Sequence, residues 1–155
     1  MSKQQAYDTV IAQIAAVLDG EANQIARMAT ISCLLAEAFP DRFYWTGFYV
    51  VDDAAANELV VGPYQGTLGC LRIQFGKGVC GTAATTGQTQ LVDDVHAIKN
   101  HIACDSRTKS EIVVPVMDAD GALVAVLDID STEFGAFDRV DQQNLERLLT
   151  SIFAE

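Results

Sequence analysis

The chain carries four thiols, Cys33, Cys70, Cys80 and Cys104, among 155 residues. They do not make the disulfide framework of a small secreted protein, so they read as packing groups, metal ligands or redox centres. Cys104 lies in the polar run His101-Ile102-Ala103-Cys104-Asp105-Ser106, which has no apolar face to bury it. A reactive thiol needs solvent access and a route to the thiolate, and such a loop supplies the first. Cys70 alternates with Arg72 and Gln74 on the polar face of an extended segment, which argues against a pure core role. Cys80 stands at the start of a short helix, where unpaired amides and the helix dipole favour a thiolate; a small residue packed in a turn is an equal reading. Cys33 shares a helical stripe with Ala26 and Ala29 and is expected to pack as a small hydrophobe. His96, His101 and Cys104 could hold a metal, but their spacing matches no common zinc pattern. The expectation is a thiol site with no metal and no organic cofactor.

A second constellation is acidic. Ser110 to Met117 and Ala122 to Asp130 read as two strands joined by a tight turn at Asp120-Gly121. A two-residue loop there puts Glu111 opposite Asp130 and Val113 opposite Asp128. Glu111, Asp128 and Asp130 then project from one face, with Val113, Val124 and Val126 beside them. Three carboxylates among apolar groups repel one another, so at least one should keep its proton near neutral pH. Such a cluster can bind an ammonium group and donate a proton. A three-residue turn would break this register.

The elements that must position these groups follow from periodicity. Tyr7, Val10, Ile11, Ile14, Val17 and Leu18 recur at helical spacing, with Gly20 as a stop. A second helix is expected from about Ala22 to Phe39, ending before Pro40. Phe43 to Val51 reads as a buried central strand, Asp52 to Asn57 as a turn and Glu58 to Val61 as a returning strand. Cys70 to Phe75 alternates, with Leu71, Ile73 and Phe75 on the apolar face. The glycine-rich run Gly76 to Gly81 leads into a short helix ending near Gly87. It lacks the Gly-Lys-Ser/Thr ending of a phosphate loop, though its amides could hold a small carboxylate. Asp93 to Lys109 is a long polar segment, of the kind that is functional or mobile in a compact domain. Leu145, Leu148, Leu149, Ile152 and Phe153 form one face of a closing helix with Asp138 as its N-cap. The pattern predicts one α+β domain over 1–155: a central, mostly antiparallel sheet with helices from both termini on one face.

Charge narrows the partners. There are 21 acidic and 10 basic residues, a net charge of -11, and the basic residues are scattered singly. Neither a phosphate backbone nor an anionic lipid surface would be a favoured partner. No run approaches the roughly 18 apolar residues of a membrane span, and Met1 to Tyr7 does not resemble a signal peptide. A cytoplasmic protein is expected.

Several segments together resemble the free methionine-(R)-sulfoxide reductases, stand-alone members of the GAF superfamily. They are Trp45-Thr46-Gly47-Phe48-Tyr49, Gly62-Pro63-Tyr64-Gln65-Gly66, Gly78-Val79-Cys80-Gly81-Thr82-Ala83, Asp93-Asp94-Val95-His96, His101-Ile102-Ala103-Cys104-Asp105, Ser110-Glu111-Ile112-Val113 and Leu127-Asp128-Ile129-Asp130-Ser131. The resemblance runs from about Ala22 to the C-terminal helix, behind an N-terminal helix over about 1–20. It implies a GAF-type fold in which Cys104 attacks the sulfoxide and Cys70 is the principal resolving cysteine. Cys80 would be an accessory or alternative partner. Glu111, Asp128 and Asp130 would bind the substrate's ammonium and sulfoxide oxygen, and Trp45 and Tyr49 would wall its methyl end, whereas Phe48 packs in the core. The resemblance also implies thioredoxin as reductant and a homodimer. The competing expectations are a non-catalytic GAF module that binds a small ligand and a redox-sensing interaction protein, neither of which would consume dithiol in turning over methionine sulfoxide.

Overall fold

A computed structural model describes all 155 residues. Three helices take their ends from side-chain caps. In α1 (Lys3–Val17), Ser2 accepts from the Gln5 amide while the Gln5 side chain accepts from the Ser2 amide at 2.8 Å, and the chain leaves through Gly20 at φ +78°. Asn23 caps α2 (Gln24–Ala38), which stops before Pro40. Asp138 caps α4 (Arg139–Phe153) and exchanges hydrogen bonds with Asp141. The fourth helix, α3 (Gly78–Thr86), ends at Gly87 in the left-handed conformation.

Six strands form one sheet: β1 (Trp45–Val51), β2 (Glu58–Gln65), β3 (Arg72–Gln74), β4 (Gln90–Val92), β5 (Ser110–Met117) and β6 (Leu123–Ser131), in the order β3-β2-β1-β6-β5-β4. Every neighbouring pair is antiparallel, so the fold is α+β with a wholly antiparallel sheet. Alternation splits the apolar residues between its two faces. Phe48, Ile112, Val114, Leu127 and Ile129 pack against Tyr7, Ile14, Ile31, Leu35, Leu145 and Leu148 of α1, α2 and α4. Trp45, Tyr49, Val113 and Val126 face the other way, against Val79, Cys80 and Ala83 of α3. No helix is long and apolar enough to cross a membrane.

Three local expectations change. First, β2 runs on to Gln65, and the alternating segment after it is sheet only from Arg72 to Gln74. Leu71 is therefore 71% exposed instead of sharing the buried face of Ile73, and Cys70 lies in the loop before the strand. Second, the turn between β5 and β6 is wider than two residues: Met117 pairs with Leu123, and Asp118 closes the loop by accepting from the Gly121 amide. Third, the register slips between Val116 and Met117, because Val116 pairs with Ala125 and leaves Val124 as an extra residue. The slip cancels the odd turn, so Glu111 still faces Asp130 and Val113 still faces Asp128. Val124 is turned through the sheet and packs with the helix-side core, not beside the carboxylates.

Candidate active site

On the α3 face the sheet carries a pocket floored by acids. Glu111 and Asp128 are 7% and 5% exposed, and Asp130 is half-buried beside them. All three carboxyls are pushed well above the usual carboxylate range. Burial is the main cause for each; the charge of Asp128 adds most to Glu111, that of Asp130 to Asp128, and that of Glu111 to Asp130. Among its buried atoms, Asp128 Oδ1 has no hydrogen-bond partner, so the floor can accept a donor from outside. Cys80 projects from α3 into the same space at 4% exposure. Burial, then the neighbouring carboxylates, raise its thiol well above its ordinary value, which corrects the thiolate expected from its helix position. The helix dipole does not outweigh desolvation among three acids. Ligand atoms of Cys80, Glu111 and Asp128 lie within 4.8 Å of one another, so these three are the residues that could hold a cation.

One wall is aromatic. Trp45 and Tyr49, four residues apart on one face of β1, stack with ring centroids 5.6 Å apart, and Tyr64 also stacks on Trp45 at 5.0 Å. Both Trp45 and Tyr49 line the pocket, whereas Phe48 lies in the helix-side core. Gly69 lets the following loop close on them: a Cβ there would meet the Tyr49 hydroxyl at 2.9 Å.

The mouth is formed by two loops that meet at a Cys70–Cys104 disulfide, with Cα atoms 5.3 Å apart. Cys104 is exposed and lines the pocket. Its loop is fastened at both ends. Asn100 donates to the Gly76 carbonyl at 2.7 Å, and Ile102 covers Gly78. Asp105 accepts from the Tyr44 hydroxyl at 2.9 Å, the Thr67 hydroxyl at 2.8 Å and the Arg107 guanidinium at 3.0 Å. Arg107 foremost, with Thr67 and Tyr44, holds the Asp105 carboxyl well below the usual range. The Thr67 carbonyl in turn accepts from Trp45 Nε1 at 2.8 Å. His101 lines the pocket with a buried Nδ1 that has no partner, while His96 is exposed and bonded to Asp94.

A GAF-domain family model matches residues 22–152. The chain is 42% identical over 151 residues to the free methionine-R-sulfoxide reductase of Saccharomyces cerevisiae, covering 96% of this chain and 84% of that one. The chain belongs to the free methionine-R-sulfoxide reductase family of GAF domains. It is 41% identical over 152 residues to the Escherichia coli free methionine-R-sulfoxide reductase, covering 98% and 89% of the two chains. The X-ray structure of the Neisseria meningitidis free methionine-R-sulfoxide reductase in complex with its substrate superposes with a TM-score of 0.92. The sequences are 43% identical, and the match covers 98% of this chain and 89% of that chain.

For this member of the free methionine-R-sulfoxide reductase family, the structure gathers Cys70, Cys80, Cys104, Glu111, Asp128, Asp130, Trp45 and Tyr49 around one pocket. Sequence reasoning missed Leu68, Ile102 and Thr108 in its lining, Tyr64 behind Trp45, and the fastening of Asp105 to Thr67 and Tyr44. The only sequence signal for the last was an acid directly after Cys104.

Proposed function

We propose that this chain reduces free methionine (R)-sulfoxide to methionine, with Cys104 as the attacking thiol and Cys70 as the resolving one. The carrying observation is the Cys70–Cys104 disulfide, with Cys104 exposed, at the mouth of a pocket floored by buried, proton-retaining acids. In the reduced enzyme the Cys104 thiolate attacks the sulfoxide sulfur. A carboxylic acid of the Glu111–Asp128–Asp130 cluster protonates the departing oxygen, because an unprotonated oxide leaves poorly. The protonated oxygen then passes from the methionine sulfur to the Cys104 sulfur as the bond between the two sulfurs breaks, so methionine is released and Cys104 becomes a sulfenic acid. Cys70 displaces it as water, giving the disulfide, and an external dithiol returns both cysteines to thiols while being oxidised itself.

The acid cluster seats the substrate's ammonium, and Trp45 and Tyr49 face its methyl end. Cys80 stays a neutral thiol and is an accessory partner of Cys104, a role supported by its place in the same pocket. The reductant is thioredoxin and the working assembly a homodimer, both supported by the family resemblance, and the chain works in the cytoplasm, where dithiols are kept reduced.

The test is a dithiol-dependent assay on the separate R and S epimers of free methionine sulfoxide, with a single-turnover arm lacking dithiol. The expected result is R-selective turnover by the wild type and no methionine from Cys104→Ser even in one turnover. Binding without dithiol consumption would favour a sensory module, and methionine from purified Cys104→Ser would overturn the assigned nucleophile.

A further inference from the structure

We propose that Asp105 is a positioning residue that holds the loops of Cys104 and Cys70 together while their sulfurs are not bonded. The inference rests on the proposed roles of these two cysteines, and it concerns how one finds the other. They lie 34 residues apart on loops from different parts of the fold. No backbone hydrogen bond joins residues 66–71 to residues 98–107. Apart from the disulfide, the direct polar link between these segments is Thr67 Oγ1 donating to Asp105 Oδ2 at 2.8 Å. Asp105 directly follows Cys104, and Thr67 lies three residues before Cys70. The same Oδ2 accepts from Tyr44, just before β1, which anchors the link to the sheet. Arg107 neutralises the carboxylate from the solvent side through Nε and Nη2, and its guanidinium lies 5.3 Å over the Tyr44 ring.

During the catalytic cycle the covalent bond between the loops is absent in the thiol and sulfenic-acid states. In the resolving step the Cys70 thiol attacks the Cys104 sulfenic sulfur, the S–S bond forms, the S–O bond breaks and water leaves. The step is intramolecular, so its rate depends on how well the two sulfurs are held near each other. Attack on the sulfoxide needs Cys104 alone against the bound substrate. Loss of the clip should therefore slow disulfide formation far more than methionine release.

The variant is Asp105→Asn, which keeps the shape but loses the anionic acceptor. In rapid-quench single turnovers of the reduced protein, disulfide formation should slow about tenfold or more relative to methionine release. The sulfenic acid should become trappable by a cyclic 1,3-dione, read by mass spectrometry on the Cys104 peptide. Thr67→Val should show the same split, more weakly, without any change of charge. A second measurement does not depend on sulfoxide chemistry. Equilibrated against graded ratios of reduced and oxidised dithiothreitol, Asp105→Asn should hold less Cys70–Cys104 disulfide, with a midpoint shifted about tenfold toward the thiols. An unshifted midpoint in folded Asp105→Asn overturns the proposal, as does equal slowing of methionine release and disulfide formation. If the wild type releases no methionine but the midpoint shifts, the positioning role stands and the proposed activity falls.

Discussion

One buried carboxylate and a cluster of three acids sit on opposite sides of this one sheet, and they are treated in opposite ways. On the helix side Asp141 is fully buried yet surrounded by donors: Lys3 Nζ at 2.7 Å, Tyr7 hydroxyl at 2.7 Å, the Asp138 amide at 2.8 Å and Arg42 at 3.4 Å. It ties α1, α4 and the segment before β1 into one unit. Burial and this carboxylate push the Tyr7 phenol up, so it remains a donor. On the pocket side Glu111, Asp128 and Asp130 face one another with no lysine or arginine salt bridge. A buried charge supplied with partners stabilises a packing arrangement; a buried carboxyl left without them keeps its proton until a cation arrives from outside.

The comparison breaks most visibly at Asp141. Asp141→Ala should cost about 3 kcal/mol of folding stability, since two cations and a buried phenol lose their acceptor. The fraction that stays folded should keep its catalytic efficiency. Urea unfolding together with kcat/KM measures both, and an unchanged midpoint would remove the distinction between the two sides.

Asp128→Asn should do the reverse. Catalytic efficiency on free methionine sulfoxide should fall about a hundredfold, from loss of a proton donor and a cation partner. Stability should hold or rise, because one member of a repelling cluster is gone. A variant that lost stability but kept its efficiency would place Asp128 with Asp141 as a structural acid.

Substrate charge probes the same seat without mutation. N-acetyl-methionine sulfoxide offers a neutral amide where the free amino acid offers an ammonium, which leaves the acids unmatched. Its kcat/KM should be lower by about a hundredfold, and Asp130→Asn should narrow the gap chiefly by weakening turnover of the free amino acid. Equal efficiencies on the two compounds with wild-type protein would sink charge recognition.

The smallest expected effect is on pH dependence. The cluster's folded carboxyls titrate above their unfolded values, so the folded state holds protons that the unfolded chain has released. Their contribution is fully present below the ordinary carboxylate range and is lost as pH rises through the raised folded values. From pH 5 upward, wild type should lose stability relative to Asp128→Asn, with a slope of at most about 1.4 kcal/mol per pH unit for each proton involved. Parallel unfolding curves for the two proteins would contradict the raised titration.

Much of this arrangement is legible before any coordinates are seen, and the boundary has physical causes. Helix stripes and caps such as Asp138, and the alternation that puts Asp128 and Asp130 on one face, are local and periodic, whereas Glu111 meets Asp130 as expected only because the bulge at Val124 offsets a wider turn. The α+β architecture follows from them. The exposure of Leu71 and the depth of Cys80 depend on where a strand leaves the sheet and on what packs above a helix, and neither has a period. The meeting of Cys70 with Cys104 came from resemblance alone, because loop-to-loop contacts leave no spacing signal. The fastening of Asp105 to Thr67 and Tyr44 is invisible for the same reason.

The extra residue at Val124 works as a phase corrector. An odd turn at the tip of the β5–β6 hairpin would, on a straight ladder, carry Asp128 and Asp130 to the helix side, away from Glu111, and bury two acids in an aliphatic core. One bulged valine next to the tip absorbs that error, and every pair from Val116–Ala125 inward keeps the register a two-residue turn would give. The charged floor thus keeps its address although the hairpin end is one residue out of step with it.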